Sequence, residues 1–255
     1  MNEDFNVGIY GDSYADGRWG RVDAFTSWPV QLLHDLDCPG EIYGASGTST
    51  WWSFEKFEKT FHKHNVIVFC YSAPNRWPLL PEEFTGWHWK FDETNPDNFP
   101  SDIKKLADYN KIFFDIFNDN LFKMIDQAIF RSVNETVRKS GKYLINILPF
   151  GKIYNLPDTQ FPVYHNLIDI SQNEKVREQG NIFTLPDLHI ERAEYARDLR
   201  QCHLNNENNK LLAKTFENCI RRKILFKDVN VFKDMPWFEF DDYLEQEYRN
   251  KFYIK

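Results

Sequence analysis

The chain has 255 residues, a formal charge of −7, and 42% hydrophobic and 17% aromatic content; this is the composition of one folded, mildly acidic domain and excludes a disordered or fibrous chain. Its 31 basic side chains are set against 38 acidic ones with no basic block, so the average field repels polyanions and nucleic acid is not an expected partner. The longest apolar run, residues 66–71, is far shorter than the roughly 20 residues a membrane-spanning helix needs, so no membrane partner is expected.

The first residues are acidic and run directly into a strand-like segment, without the positive flank and apolar stretch of a secretory signal, which makes the cytoplasm the expected location. Residues 6–11 form a short apolar run ending in Gly-Asp-Ser, which predicts a buried strand. Thr26 or Ser27 can cap a following helix with Pro29 in its first turn; Val30, Leu32, Leu33 and Leu36 supply its apolar face, and Pro39-Gly40 stops it. Residues 41–43 predict a weak second strand. A second helix follows on which Trp52, Phe54, Phe57 and Phe61 share a face. Residues 66–71, β-branched and aromatic, are the clearest strand.

Residues 75–100 carry prolines and Trp77, Trp87 and Trp89 without periodicity, and predict a long loop or lid. From residue 103 to 139 apolar side chains, among them Leu106, Ile125, Ile129 and Val133, recur at three- and four-residue steps, as one broken helix or two. Residues 142–148 predict a strand ended by Pro149, and residues 181–185 a weaker one. Asn205 and its neighbours open a last helix, with Leu212, Phe216, Cys219 and Ile220 as its face to about Arg222. Alternation of strands and helices predicts an α/β fold, a three-layer α/β/α sandwich around a central, mostly parallel sheet, with ligands at the carboxyl ends of the strands. Residues 1–224 are assigned to this domain and residues 225–255 to a C-terminal extension. The widely spaced Cys38, Cys70, Cys202 and Cys219 contain no C-x-x-C pair and read as reduced thiols.

Gly11-Asp12-Ser13 leaves the first strand where an exposed nucleophile would be presented, although the tripeptide alone is ordinary turn composition. Three further segments follow in order: Gly44-Ala45-Ser46-Gly47-Thr48, Ala73-Pro74-Asn75, and His203-Leu204 before the last helix. Together these blocks, spanning roughly residues 6–222, resemble the SGNH hydrolases, the GDSL-like esterases and lipases, in a divergent form similar to members found in bacteria and phage genomes. The resemblance implies an SGNH/flavodoxin-like fold with Ser13 as nucleophile and His203 as the base that takes its proton. It also implies an oxyanion hole from Gly47, matched better than Gly44, and Asn75.

The chemistry suits those residue types. A serine hydroxyl needs a nearby imidazole to remove its proton as it attacks, and preorganised N–H donors then stabilise the charge on the former carbonyl oxygen by about 3 kcal/mol each. The usual Asp-x-x-His is absent: Arg200 stands three residues before His203, and Asp198 is the favoured orienting acid, with Asp187 in reserve and His189 as a rival base. The third block reads Ala73-Pro74-Asn75-Arg76, keeping the amide and losing the following acid. No cofactor and no metal are expected, because no His, Cys or acidic cluster has ligand spacing. His62 and His64, beside Lys63, are expected on the solvated surface. Trp51, Trp52 and the three tryptophans of residues 75–100 are expected in the core, or else stacked on a sugar. The expected activity is hydrolysis of a small ester, such as an acetyl group on a carbohydrate, through an acyl-enzyme. The alternative is an SGNH-like glycan- or protein-binding module.

Overall fold

The structure is a computed structural model, and it describes residues 4–17, 27–45, 48–72, 119–150, 158–167, 204 and 206–235. The apolar runs become strands: β1 (Val7–Gly11), β2 (Gly40–Gly44), β3 (Val66–Cys70) and β4 (Tyr143–Leu148). Two three-residue strands, β5 (Val163–His165) and β6 (Asp228–Asn230), complete a six-stranded sheet in the order β2-β1-β3-β4-β5-β6. Every pairing is parallel. β1, β3 and β4 are buried along their whole length, as strands covered on both faces must be.

Register assigns the two faces. Tyr10, Phe69 and Asn146 are successive partners across β1, β3 and β4 and point toward α2 (Thr50–Thr60) and α3 (Asp119–Lys139). There Tyr10 meets Phe57 edge-on, and Asn146 exchanges amide hydrogen bonds with Asn134 of α3. Ile147 and Tyr164 are partners on the opposite face, where the Tyr164 ring packs on Phe216 of α4 (Asn206–Arg222). Phe216 in turn meets Trp28 of α1 (Trp28–Leu36) edge-on. The result is an α/β/α sandwich with α1 and α4 on one side and α2 and α3 on the other.

Local chemistry sets the helix ends. Ser27 occupies the N-cap of α1 with Pro29 in its first turn, and the helix stops at Asp37 in a left-handed conformation (φ 50°). The stop therefore precedes the expected Pro39-Gly40, and Gly40 instead begins β2. Ser49 caps α2 by accepting the Trp52 N–H at 3.1 Å. On α2 the expected aromatic face is real but shallower: Phe54, Phe57 and Phe61 stack in series, only Phe57 is fully buried, and Trp52 lies half-exposed beneath the Lys56 ammonium. In α4 all four expected face residues, Leu212, Phe216, Cys219 and Ile220, are buried.

His64 departs from expectation. His62 is exposed, but His64 is buried between the 3-10 turn Phe61–Lys63 and β3, with Nδ1 2.9 Å from Asn6 Oδ1. Burial lowers its pKa, with Glu41 opposing. The Lys142 ammonium donates to the carbonyls of Phe61, His62 and His64, closing this turn over the ring.

Neither β5 nor β6 was expected. The sheet continues past residue 224, since Asp228–Asn230 pairs with β5 and leads into a short helical turn, α5 (Val231–Asp234). The expected loop at 75–100, the helical residues 103–118, the strand at 181–185 and the chain after residue 235 lie outside the described residues. Among the described residues Cys70 and Cys219 are buried and Cys38 is partly buried, and none of the three is in a disulfide. No helix among the described residues is long and apolar enough to cross a membrane.

Candidate active site

The order β2-β1-β3-β4-β5 is that of the doubly wound flavodoxin-like sheets, whose ligands bind outside the carboxyl ends of the strands at the β1/β3 switch point. β1 ends there at Gly11. Asp12 and Ser13 then lead into a 3-10 turn, Ser13–Ala15, with Ser13 8% exposed. Asp12 is fully buried and caps the turn: its Oδ1 accepts the Tyr14 N–H at 3.0 Å and its carbonyl accepts the Ala15 N–H at 3.0 Å. In the Gly-Asp-Ser motif the acid thus shapes the turn that presents the serine.

A glycine of the second block supports this turn from below. A Cβ at Gly44 would lie 1.9 Å from the Ala15 carbonyl oxygen, so only glycine lets the end of β2 pass under the turn. Beyond Gly44, the Ala45 N–H donates to the Gly11 carbonyl at 3.2 Å, and the Thr48 hydroxyl donates to the Ala45 carbonyl at 2.7 Å. The Ser72 hydroxyl donates to the Thr48 carbonyl at 2.9 Å, and the Ser72 N–H to the Thr50 hydroxyl at 3.0 Å. These bonds join the chain on either side of residues 46–47 to the start of the third block.

The fourth block is tied to the same turn through α1. The Trp28 indole N–H donates to the Tyr14 carbonyl at 2.6 Å, and the Trp28 backbone N–H donates to Asn209 Oδ1 at 2.8 Å. Asn209 in turn donates from Nδ2 to the Leu204 carbonyl at 2.9 Å. Leu204, the neighbour of His203, is therefore buried and linked by two side chains to the residue after Ser13. Asn209 was legible only as part of a polar helix start, and its role as a bridge was not foreseen.

One buried acid lies beside this network. Asp126 on α3 is 7% exposed, and desolvation raises its pKa to about 8, with a hydrogen bond to Thr50 opposing. Of the residues singled out as catalytic, Ser13 stands at the switch point; Gly47, Asn75, Asp198 and His203 lie outside the described residues, as do Asp187 and His189. Among the described residues no group of three His, Cys, Asp or Glu side chains is placed to hold a metal.

Solved structures similar to this one include a protein assigned to the G-D-S-L lipolytic family from Desulfitobacterium hafniense, at 11% identity and TM-score 0.43, covering 84% of this chain and 99% of that one. The acetylxylan esterase Axe2 from Geobacillus stearothermophilus matches at 13% identity and TM-score 0.42, covering 86% of this chain and 95% of that one. A GDSL-like lipase from Bacteroides thetaiotaomicron matches at 11% identity and TM-score 0.33, covering 89% and 70%. The decisive observation is internal: a flavodoxin-like strand order with Gly-Asp-Ser at the end of β1. The chain has a flavodoxin-like α/β fold with Gly-Asp-Ser at the end of β1. No protein-family model and no curated protein matches the sequence.

Proposed function

We propose that this chain is an SGNH-type serine esterase that hydrolyses a small ester through an acyl-enzyme. The observation that carries the reading is the placement of Ser13 at the switch point, with the flanks of the second, third and fourth blocks hydrogen-bonded around its turn. In the proposed mechanism Ser13 attacks the ester carbonyl while His203 takes its proton, and Asp198 holds the imidazole in the required tautomer. Gly47, Asn75 and the Ser13 N–H donate to the oxyanion. His203 then protonates the leaving alcohol, and water repeats the sequence to release the acid.

The favoured substrate is an acetyl group on a carbohydrate. Trp51 supports this choice, since it opens α2 at the carboxyl edge of the sheet and is 37% exposed, an apolar face with its N–H held by Glu55. Ser13→Ala is expected to abolish hydrolysis of p-nitrophenyl acetate while leaving the circular dichroism spectrum intact; unchanged turnover would refute the assignment. The altered third and fourth blocks favour a second reading, a glycan-binding module with little catalysis, because a misplaced base lowers rate more than affinity. A fluorophosphonate probe separates them: covalent labelling at Ser13 marks the enzyme, and sugar binding without labelling marks the module.

A further inference from the structure

At the opposite edge of the sheet from Ser13 lies a cleft that the mechanism above does not use. Its volume is about 260 Å³, and it opens between the C-terminal half of α3 and residues 158–161, which lead into β5. We propose that this cleft is an accessory carbohydrate site for one acidic sugar, a hexuronate, with Arg131 and Arg138 on its carboxylate and Asp158 and Gln160 on its hydroxyls. The site stands apart from the esterase reading. α3 ends where β4 begins and residue 161 precedes β5, so the cleft is at the amino ends of these strands, a strand length of about 15 Å or more from the edge where β1 ends.

The walls are fixed by the fold itself. Asn134, 7% exposed, donates from Nδ2 to the Phe130 carbonyl at 2.8 Å and accepts at Oδ1 from the Thr159 hydroxyl at 2.6 Å. Thr159 Oγ1 also accepts the Phe161 N–H at 3.1 Å, so the wall of residues 158–161 is clamped to the helix. Phe130 and Phe161, both buried, supply the apolar floor. On the outer side the Gln160 carbonyl accepts the Phe226 N–H at 2.9 Å, which brings Phe226, 56% exposed, beside that wall and adjoins an open aromatic face to the cleft.

Charge selects the ligand. Arg131, Glu135 and Arg138 recur at helical spacing along the α3 wall, and the Lys139 ammonium neutralises Glu135 at 2.7 Å. Among the described residues neither arginine has an ion-pair partner, and neither does Asp158 on the facing wall. Two guanidiniums against one carboxylate leave the cleft one positive charge in excess, which suits a single carboxylate held bidentately. The net charge of −7 on the whole chain disfavours a polyanion. The Asp158 carboxylate and the Gln160 amide oxygen accept protons that sugar hydroxyls can give; an inorganic anion cannot use them and is repelled by Asp158. The volume also suits one sugar ring, since sites for drug-sized ligands run from roughly 300 to 1,000 Å³.

The test titrates the full-length protein with glucuronate, glucose and inorganic phosphate, following the amide NMR shifts of Arg131, Asn134 and Gln160. Glucuronate is expected to shift all three saturably, with glucose and phosphate weaker by about tenfold or more. The double variant Arg131→Gln/Arg138→Gln changes two exposed side chains; it is expected to lose glucuronate affinity by about tenfold or more while fluorophosphonate labelling at Ser13 and turnover of p-nitrophenyl acetate stay as they were. No saturable shift, shifts that persist in the double variant, or shifts confined to the Ser13 turn would overturn the proposal. Phosphate binding as tightly as glucuronate would overturn it in favour of a plain anion site. The shifts are read without turnover, so a failure of the esterase reading leaves this result standing, and the reverse holds too.

Discussion

Asp126 and Gly44 show how single residues set the site's energetics. The folded-state pKa of Asp126 is raised from 3.8 to about 8, so between those values the native protein keeps a proton that the unfolded chain has released. Stability from this group therefore declines as pH rises through that window, by up to about 1.4 kcal/mol per pH unit, and is level above it. Asp126→Asn is expected to raise the melting temperature, with a margin over the unaltered protein that widens from pH 5 to pH 8 in a differential scanning series. Ser13 was legible because a Gly-Asp-Ser turn after an apolar run names its own place in a sheet. Asp126 was not read, although a signal existed: an acid three, four and seven residues before the buried Ile129, Phe130 and Val133 lies on the apolar stripe of its helix. His64 was misread for the complementary reason. Its polar neighbours suggested solvent, whereas the chain turns inward at that residue to enter β3.

At the scale of elements, the connection between α1 and α4 carries the fourth block to the first. Asn209 is buried and serves both helices. Asn209→Ala breaks both hydrogen bonds and leaves the Trp28 N–H without its acceptor, so a loss of about 1–3 kcal/mol is expected in urea denaturation. Because it also frees the chain next to His203, kcat for p-nitrophenyl acetate is expected to fall by about tenfold to a hundredfold with KM little changed. β1, β3 and β4 and the helices with strong periodicity were legible because their residues are patterned over five or more positions, whereas β2 was read only as a weak strand at residues 41–43. β5 and β6 were not, because three residues cannot display an alternation; each exists because a neighbouring strand supplies its ladder.

Across the whole molecule, the sheet is finished by chain that arrives after the last long helix. β6 covers the free side of β5, and the His165 imidazole meets the Asp228 carboxylate at 3.0 Å across the pair. Val229→Asp, placing a charge at a site 3% exposed, is expected to detach β6 and lower stability by several kcal/mol. The uncovered edge of β5 should then drive concentration-dependent association, visible in sedimentation velocity. The overall α/β plan was readable from alternation alone, whereas the order of strands was not, since order is fixed by contacts between residues far apart in the chain.

The close passage of β2 under the serine turn also has a consequence for how the protein can vary. In a saturation library selected for Ser13 labelling, position 44 should return glycine alone, because the obstacle is the Ala15 carbonyl and no rotamer avoids it. Position 141 should return asparagine as well as glycine: its φ of +68° restricts the backbone, but nothing lies within 4 Å of an added Cβ. The two glycines would thus leave different fingerprints in the same experiment, one written by crowding and the other by torsion.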